Sequence, residues 1–297
     1  MKILVTGSNG LLGQKLTELL ENDKCVELIA TAARPAALPV NSGTFELMDI
    51  TDSVAVDSII NQYKPDVIIN TAAMTQVDQC EYQREACWKA NVDAVRNLVN
   101  ASRRNHCHLI HVSTDFIFDG TQEMLDETAA PKPVNFYGES KLAGEKVVME
   151  SDISWCIVRT VLVFGVTKDM SRSNIVLWVK KSLEEGKTIQ VVSDQWRTPT
   201  LAEDLALGCY LAAKKKANGI YNISGKDYVS PYDIAIRTAE FFNLDKSLIR
   251  ETDSTKFTQP AKRPLKTGFV IDKARRDLGY EPHSFEEGLE VLRSQLM

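Results

Sequence analysis

Short apolar runs alternate with amphipathic stretches through the first half of the chain. Residues 2–5, 26–30, 67–69 and 109–112 are rich in Ile, Leu, Val and Ala, whereas 11–20, 54–60 and 86–102 space their apolar residues at helical intervals. Near-continuous apolar strands separated by helices predict a parallel sheet covered on both faces, the doubly wound α/β architecture. Its ligand crevice lies beyond the carboxyl ends of the strands, so residues directly after each apolar run are the candidates for function. From about residue 166 the pattern loosens. Helices are expected at 173–183, 201–213, 232–242 and 285–293, separated by turns containing Pro or Gly. This predicts a smaller second α/β lobe, with 1–165 and 193–222 forming the nucleotide-binding domain and 166–192 and 223–297 the substrate-binding lobe. Three helix starts carry capping signals: Thr200 with Glu203, Ser284 with Glu287, and Ser230 ahead of Pro231 and Asp233.

A chain of 297 residues is long enough for a large core and lies where single cores stop growing, roughly 250 to 300 residues, so two lobes are expected. The net charge of -5 argues against nucleic acid or an anionic membrane as the main partner and favours a small-molecule substrate. No apolar run reaches the roughly 18 residues that span a bilayer, and the N-terminus enters a strand-like segment at once, so a cytoplasmic protein is expected. Six scattered cysteines without a CxxC fit reduced thiols in a reducing compartment. The run His106-Cys107-His108 followed by His111 has ligand-type residues. Period-two geometry would split them between two faces and no second ligand pair follows, so no metal is expected.

After the first apolar run comes Thr6-Gly7-Ser8-Asn9-Gly10-Leu11-Leu12-Gly13, glycines at three-residue intervals with a helix opening behind them. Glycine lets backbone approach closely, and a helix N-terminus offers free N–H groups to a pyrophosphate. Gly7, Asn9, Gly10, Leu11 and Leu12 are the candidate contacts. The second run ends in Ala32-Ala33-Arg34 with no acid for a ribose 2′-hydroxyl; Arg34 can pair with a 2′-phosphate, which favours NADPH, with NADH as the alternative. Asp49, with Ile50, follows a strand-like 45–48, where it could hold an adenine or shape a turn. Thr71, Ala72, Ala73 and Thr75 follow residues 67–69 and leave room for a flat nucleotide. Asn91, a polar residue in an otherwise amphipathic helix, is a further candidate cofactor contact.

Tyr137-Gly138-Glu139-Ser140-Lys141 places a phenol and an ammonium on one helical face. A lysine within reach favours the phenolate, so Lys141 is expected to lower the pKa of Tyr137 and make it a usable general acid. Chance alone yields about half such a match at this composition, and Tyr210 with Lys214 is a second one. Ser113-Thr114-Asp115 ends the 109–112 run and puts hydroxyls at the crevice ahead of Tyr137. No such strand end precedes Tyr210.

Together these segments resemble the extended short-chain dehydrogenases/reductases, most closely the dTDP-4-dehydrorhamnose reductase branch, over nearly the whole chain. The landmarks are residues 6–13, 70–75 with Val77-Asp78, 113–120, 137–141, Arg159-Thr160 with Val163-Phe164-Gly165, and Asp194-Gln195 with Thr198-Pro199-Thr200. The resemblance implies that Thr114, Tyr137 and Lys141 form a catalytic triad. Tyr137 would protonate a carbonyl oxygen as NADPH delivers hydride, and Lys141 would also hold the nicotinamide ribose. A nucleotide sugar is the implied substrate, with Thr114, Asp115, Leu162, Trp196, Arg197 and Arg263 as candidate contacts; a homodimer stays open. Two departures bear on the substrate. Leu162 stands where the rhamnose-forming members have tryptophan, and Trp196-Arg197 replace a segment that often carries glycine. Arg197 could bind an anionic substrate group or form a surface salt bridge, and Arg263 could meet a substrate phosphate or solvent. A sugar-nucleotide dehydratase is disfavoured because Phe116, not Glu, follows Asp115, and an epimerase because the acid after the second strand is missing. A regulatory subunit resembling the methionine adenosyltransferase beta subunit is the alternative outside catalysis.

Overall fold

The structure is a computed structural model and describes residues 1–167 and 174–297. In chain order the first half runs β1 (Lys2–Thr6), α1 (Leu11–Glu21), β2 (Glu27–Ala32), β3 (Thr44–Leu47), α2 (Ser53–Tyr63), β4 (Val67–Asn70), α3 (Val77–Tyr82), α4 (Arg84–Trp88), α5 (Ala94–Asn105), β5 (His108–Thr114), α6 (Phe136–Met149) and β6 (Trp155–Thr160). The second half contains β7 (Val163–Phe164), α7 (Ile175–Glu184), β8 (Ile189–Val192), β9 (Thr200–Leu201), α8 (Ala202–Lys214), β10 (Gly219–Asn222), α9 (Pro231–Phe241), β11 (Ile249–Thr252), α10 (Asp272–Leu278) and α11 (Phe285–Leu296).

Seven strands form one parallel sheet in the order β10-β6-β5-β4-β1-β2-β3. The chain moves outward in one direction from β1 and in the other from β4, which opens a crevice between their carboxyl ends. Period-two geometry explains the two cores. Ile3 and Val5 of β1 pack with Leu16, Leu20, Leu205 and Cys209 of α1 and α8, while Leu4 between them faces Ile60, Val95, Leu98 and Val148 of α2, α5 and α6. β6 and β10 were not part of the expected rhythm.

A second, smaller layer holds the parallel pair β8–β11, with Ile189 beside Ile249, packed against α7 and α9 through Val179, Leu183, Ala235 and Ala239. α11 joins it through Phe285, Leu289 and Leu292. One segment assigned by sequence to this lobe packs elsewhere. Ile271, Ala274, Leu278 and Tyr280 lie in the core beneath the main sheet with α1 and α8, because α10 has an apolar face that the sheet can cover.

Both serine capping boxes form, Ser230 with Asp233 and Ser284 with Glu287. Thr200 does not cap α8: it is buried in β9, and its hydroxyl donates to the Val161 carbonyl at 2.7 Å. α7 starts at Ile175 behind Asn174; Ser173, the expected first residue, lies outside the described residues.

Candidate functional site

The turn after β1 brings three backbone segments closer than side chains would allow. Gly7 has φ +68°, and a Cβ there would lie 2.9 Å from the Ala72 Cα. A Cβ on Gly13 would lie 2.2 Å from the Gly7 carbonyl oxygen, so the first turn of α1 is seated directly on the loop. Gly10 is the N-cap of α1 and supplies no side-chain cap, so the first-turn N–H groups behind half-buried Leu11 and Leu12 are left to an anion. The far wall is fixed by Thr6, which donates to Asn70 Oδ1 at 2.6 Å, and by Thr71, which donates to the Thr6 carbonyl at 2.6 Å. These glycine contacts and uncapped donors fit a dinucleotide pyrophosphate.

Other predicted cofactor residues take defined positions. Asn9 donates to the carbonyls of Arg34 and Pro35 and accepts from Ala37 N–H, so its side chain shapes the loop after β2. Arg34 on that loop is exposed and makes no ion pair among the described residues. Asp49 is exposed and accepts from Thr51 N–H at 2.8 Å, a turn-forming role, while Ile50 is buried. Ala73 is half-buried and Thr75 exposed on the loop after β4. Asn91 sits in a π-helical turn, Lys89–Asp93. It accepts from Met74 N–H at 2.9 Å and donates to the Met74 carbonyl and to Ser140 Oγ, pinning the 70–75 loop to α6. Its amide is engaged by the protein itself, which corrects the expectation of a direct cofactor contact.

Thr114 and Tyr137 meet because of two backbone contacts. A Cβ on Gly138 would lie 2.1 Å from the Phe116 carbonyl oxygen, and Asn135 caps α6 by accepting from Gly138 N–H at 2.8 Å. The first turn of α6 is thereby seated beside the end of β5, which brings the Thr114 hydroxyl next to Tyr137, while that hydroxyl itself donates to Asp115 at 3.1 Å. The ring of Phe116 stands edge-on to Tyr137 at 5.8 Å. Burial pushes the Tyr137 pKa well above the usual phenol range, Asp115, Cys80 and Cys87 act in the same direction, and the neighbouring Thr114 hydroxyl opposes them.

Lys141 is 2% exposed, donates to the Val112 carbonyl at 2.7 Å and lies 3.5 Å from His111 Nε2. Burial lowers its pKa to about 8, against the pull of Glu145 and Cys87. The expected pKa-lowering of Tyr137 by Lys141 is therefore not what the site shows. The ammonium turns toward the end of β5, and desolvation of the phenol outweighs any cationic assistance. Ser140 and Glu145 were not among the predicted site residues, and His111 was weighed only as part of the ligand-type run 106–111; a polar residue inside an apolar stretch was the signal for His111 and Glu145.

The predicted substrate contacts separate. Asp115 is buried, accepts from Thr114 and from Thr267, and burial raises its pKa against the Arg197 charge. Arg197 is 4% exposed. Its guanidinium donates to the carbonyls of Trp196, Leu265 and Pro264 and to Gln195, and Nε lies 3.7 Å from Asp115. Neither the surface salt bridge nor a free anion-binding cation fits that environment. Arg263 is paired with Asp78 through two contacts at 2.5 and 2.7 Å, so it is not the solvated cation that one of its two readings described. Trp196 packs on Tyr228 with ring centroids 5.4 Å apart. Leu162 has φ 37°, a strained conformation for leucine, and its carbonyl accepts from Thr200 N–H. A cavity of about 480 Å³ opens in the second layer between Trp178, Gln190, Gln195, Ser254, Phe257 and Arg263. Of the six predicted substrate residues, Arg263 alone lines it.

Tyr210 has a different environment from Tyr137: its hydroxyl donates to Asp23, and Lys214 lies over its ring at 5.7 Å, far along the chain from the β5 end. The residues of the His106–His111 run also part. His106 caps α5 in a left-handed conformation, His108 contacts Ser154 Oγ at 2.7 Å, and His111 faces Asn70 and Lys141.

The model of the RmlD substrate binding domain family matches residues 1–297. A dTDP-4-dehydrorhamnose reductase of Aggregatibacter actinomycetemcomitans is 30% identical over 305 residues, covering 99% of this chain and 98% of the relative. A methionine adenosyltransferase 2 subunit beta of Pongo abelii is 32% identical over 261 residues, 85% of this chain and 76% of the relative. Among solved structures, a dTDP-4-dehydrorhamnose reductase from Clostridium acetobutylicum superposes with a TM-score of 0.89 at 31% identity, covering 100% of this chain and 99% of that one. The enzyme of that name from Bacillus anthracis, in complex with NADP, superposes with a TM-score of 0.85 at 28% identity, covering 99% of both chains. The chain belongs to the RmlD substrate binding domain family, within the extended short-chain dehydrogenases/reductases.

Proposed function

We propose that this protein is an NADPH-dependent reductase of a keto group on a nucleotide-activated sugar, like dTDP-4-dehydrorhamnose reductase. The observation that carries the reading is the buried Thr114–Tyr137 pair with Lys141 one helical turn away, seated beside a glycine-lined helix N-terminus. The first turn of α1 would receive the pyrophosphate and Arg34 the 2′-phosphate, as a free guanidinium beside the β2 end allows. Bound NADPH supplies the hydride. Tyr137 then supplies the proton: the phenol is protonated at neutral pH and can donate to a carbonyl oxygen that gains charge, with the Thr114 hydroxyl beside it. Lys141 holds the floor of the site and can release or take a proton near neutrality.

The lobe around α7, α9 and α11 is read as the substrate lobe, and its 480 Å³ cavity, with aromatic walls and amide side chains, suits the nucleotide end of the substrate. No helix among the described residues is long and apolar enough to cross a membrane, and no disulfide forms among them; a cytoplasmic location is consistent with both. The identity to methionine adenosyltransferase beta subunits supports a second reading, a nucleotide-binding regulatory subunit. A pure binding module has no use for the Thr114–Tyr137 pair.

The two readings divide on NADPH consumption with a panel of 4-keto sugar nucleotides, parent against Tyr137→Phe. The parent is expected to turn over and the phenylalanine variant to lose about 10²- to 10⁴-fold in kcat while still binding NADPH. Equal rates would remove Tyr137 as the donor, and no turnover by the parent on any substrate would favour the binding subunit.

A further inference from the structure

A buried hydrogen-bonded chain runs beneath the site from β1 to α6. Thr6 Oγ1 donates to Asn70 Oδ1 at 2.6 Å, Asn70 Nδ2 lies 3.0 Å from His111 Nδ1, His111 Nε2 lies 3.5 Å from Lys141 Nζ, and Lys141 donates to the Val112 carbonyl at 2.7 Å. Thr6, Asn70, His111 and Lys141 are each at most 2% exposed, so each hydrogen must find its acceptor inside the chain. The imidazole is neutral, because burial and the neighbouring Lys141 charge both hold its pKa well below the usual value.

A neutral imidazole has one donor and one acceptor nitrogen, so the two ends of the chain are coupled. With Asn70 Nδ2 donating to Nδ1, the ring proton is on Nε2 and points at Lys141; that suits an amine, which can accept it, and opposes an ammonium. With the Asn70 amide turned over, Asn70 Oδ1 accepts from Nδ1–H, Thr6 accepts from the amide, and Nε2 is free to accept from an ammonium. Val112 accepts from either form of the lysine.

We propose that His111 is a positioning residue for the reduction: its ring and the Asn70 amide exchange between two arrangements, one matched to the ammonium and one to the amine of Lys141. The ring gains and loses no net proton: as Lys141 becomes an amine, its Nζ–H bond breaks and Nε2–H forms, while Nδ1–H breaks and one proton leaves to solvent, the Asn70 amide turning over to donate to Nδ1. The charged and titratable groups acting on Lys141 are Glu145 on its own helix, Cys87 on α4 and His111 on β5, and Arg159 of β6 is held by Glu145. Against the His111 ring the charged neighbour is Lys141, and Gly144 lets α6 lie close to the ring, where a Cβ would come within 3.5 Å of Nε2 and 2.5 Å of the Asn91 carbonyl oxygen. Such an arrangement lets Lys141 change charge during turnover without stranding a buried donor, which would otherwise oppose each proton movement.

The idea rests on Lys141 belonging to the reductase site, and its first test needs no turnover. In protein labelled with ¹⁵N-histidine, with the His111 signal assigned by its loss in His111→Gln, the ring is expected to stay neutral from about pH 6 to 10. Its protonated nitrogen should change from Nδ1 to Nε2 with the Lys141 midpoint, about 8. A ring fixed in one tautomer across the lysine transition, or one that becomes imidazolium near the ordinary value of about 6.5, would overturn the proposal.

In turnover, His111→Phe should lower kcat about tenfold, the rate equivalent of roughly 1.4 kcal/mol, displace the pH midpoint of kcat and leave the NADPH KM unchanged. His111→Gln, which keeps both a donor and an acceptor, should restore the parent profile. A folded phenylalanine variant with the parent's pH profile refutes the positioning role; if that variant does not fold, the spectrum of the parent decides. Loss of the reductase reading itself would appear as absent turnover with the tautomer exchange intact.

Discussion

Lys141 imposes a pH-dependent cost on the fold, and that cost can be measured without a substrate. Its ammonium titrates at about 8 in the folded protein against an ordinary value of 10.5, because the side chain is buried. At roughly 1.36 kcal/mol for each pH unit of that difference, holding the charged lysine in place costs about 3 kcal/mol. Below about pH 8 both folded and unfolded chains carry the proton, and the full cost is present. Between about 8 and 10.5 the folded protein has released the proton and the unfolded chain has not, so stability rises with pH across that window. Lys141→Met keeps most of the side-chain volume and removes the titration. Denaturant unfolding of parent and variant from about pH 7 to 10 gives two curves whose difference cancels groups common to both, Tyr137 included. That difference should move in the parent's favour by about 2 to 3 kcal/mol over the range. A difference that stays constant would mean the lysine is solvated in the folded state, and its assignment as a buried, near-neutral proton carrier would fall with it.

Two further outcomes follow from neighbouring groups. Glu145 and Arg159, at 0% and 2% exposure, form a paired contact at 3.0 and 2.7 Å one turn beyond Lys141. Arg159→Met alone should cost about 3 to 5 kcal/mol in thermal or denaturant unfolding by leaving a buried carboxyl unpaired, whereas combining it with Glu145→Leu should recover most of that loss. A double variant no more stable than the single one would contradict this. Arg34→Glu should weaken NADPH relative to NADH by tenfold or more in the ratio of their kcat/KM values, since an exposed cation is exchanged for an anion beside the expected 2′-phosphate. An unchanged ratio would place the phosphate elsewhere.

The parts of the site legible in sequence are those governed by local geometry. Glycines at positions 7, 10 and 13 mark a turn into a helix whatever surrounds it, and Tyr137 with Lys141 are neighbours on any helix. Strand order was the sequence argument for Tyr137 over Tyr210, and in the structure the Tyr210 hydroxyl donates to Asp23. Arg197 shows where such reading stops. Beside Trp196 and ahead of Pro199 it looks like a loop cation, yet its donors end on carbonyls of Pro264 and Leu265, nearly seventy residues away. Thr200 failed as a cap for a similar reason, since the short pairing of β7 with β9 offered its hydroxyl the Val161 carbonyl.

By itself, the sequence determined the doubly wound sheet, the anion-ready turn after β1 and the pairing of Tyr137 with Lys141 on one helix behind the end of β5, because periodicity, turn chemistry and helical spacing are properties of neighbours in the chain. The tertiary structure decided the electrostatics. Tyr137 is harder to ionise than its lysine neighbour suggested, Lys141 is easier to discharge, and His111 joins the site through Asn70, all because burial and partners from distant strands set the energy of a charge. Those surroundings exist only once β1, β4, β5 and α6 have come together.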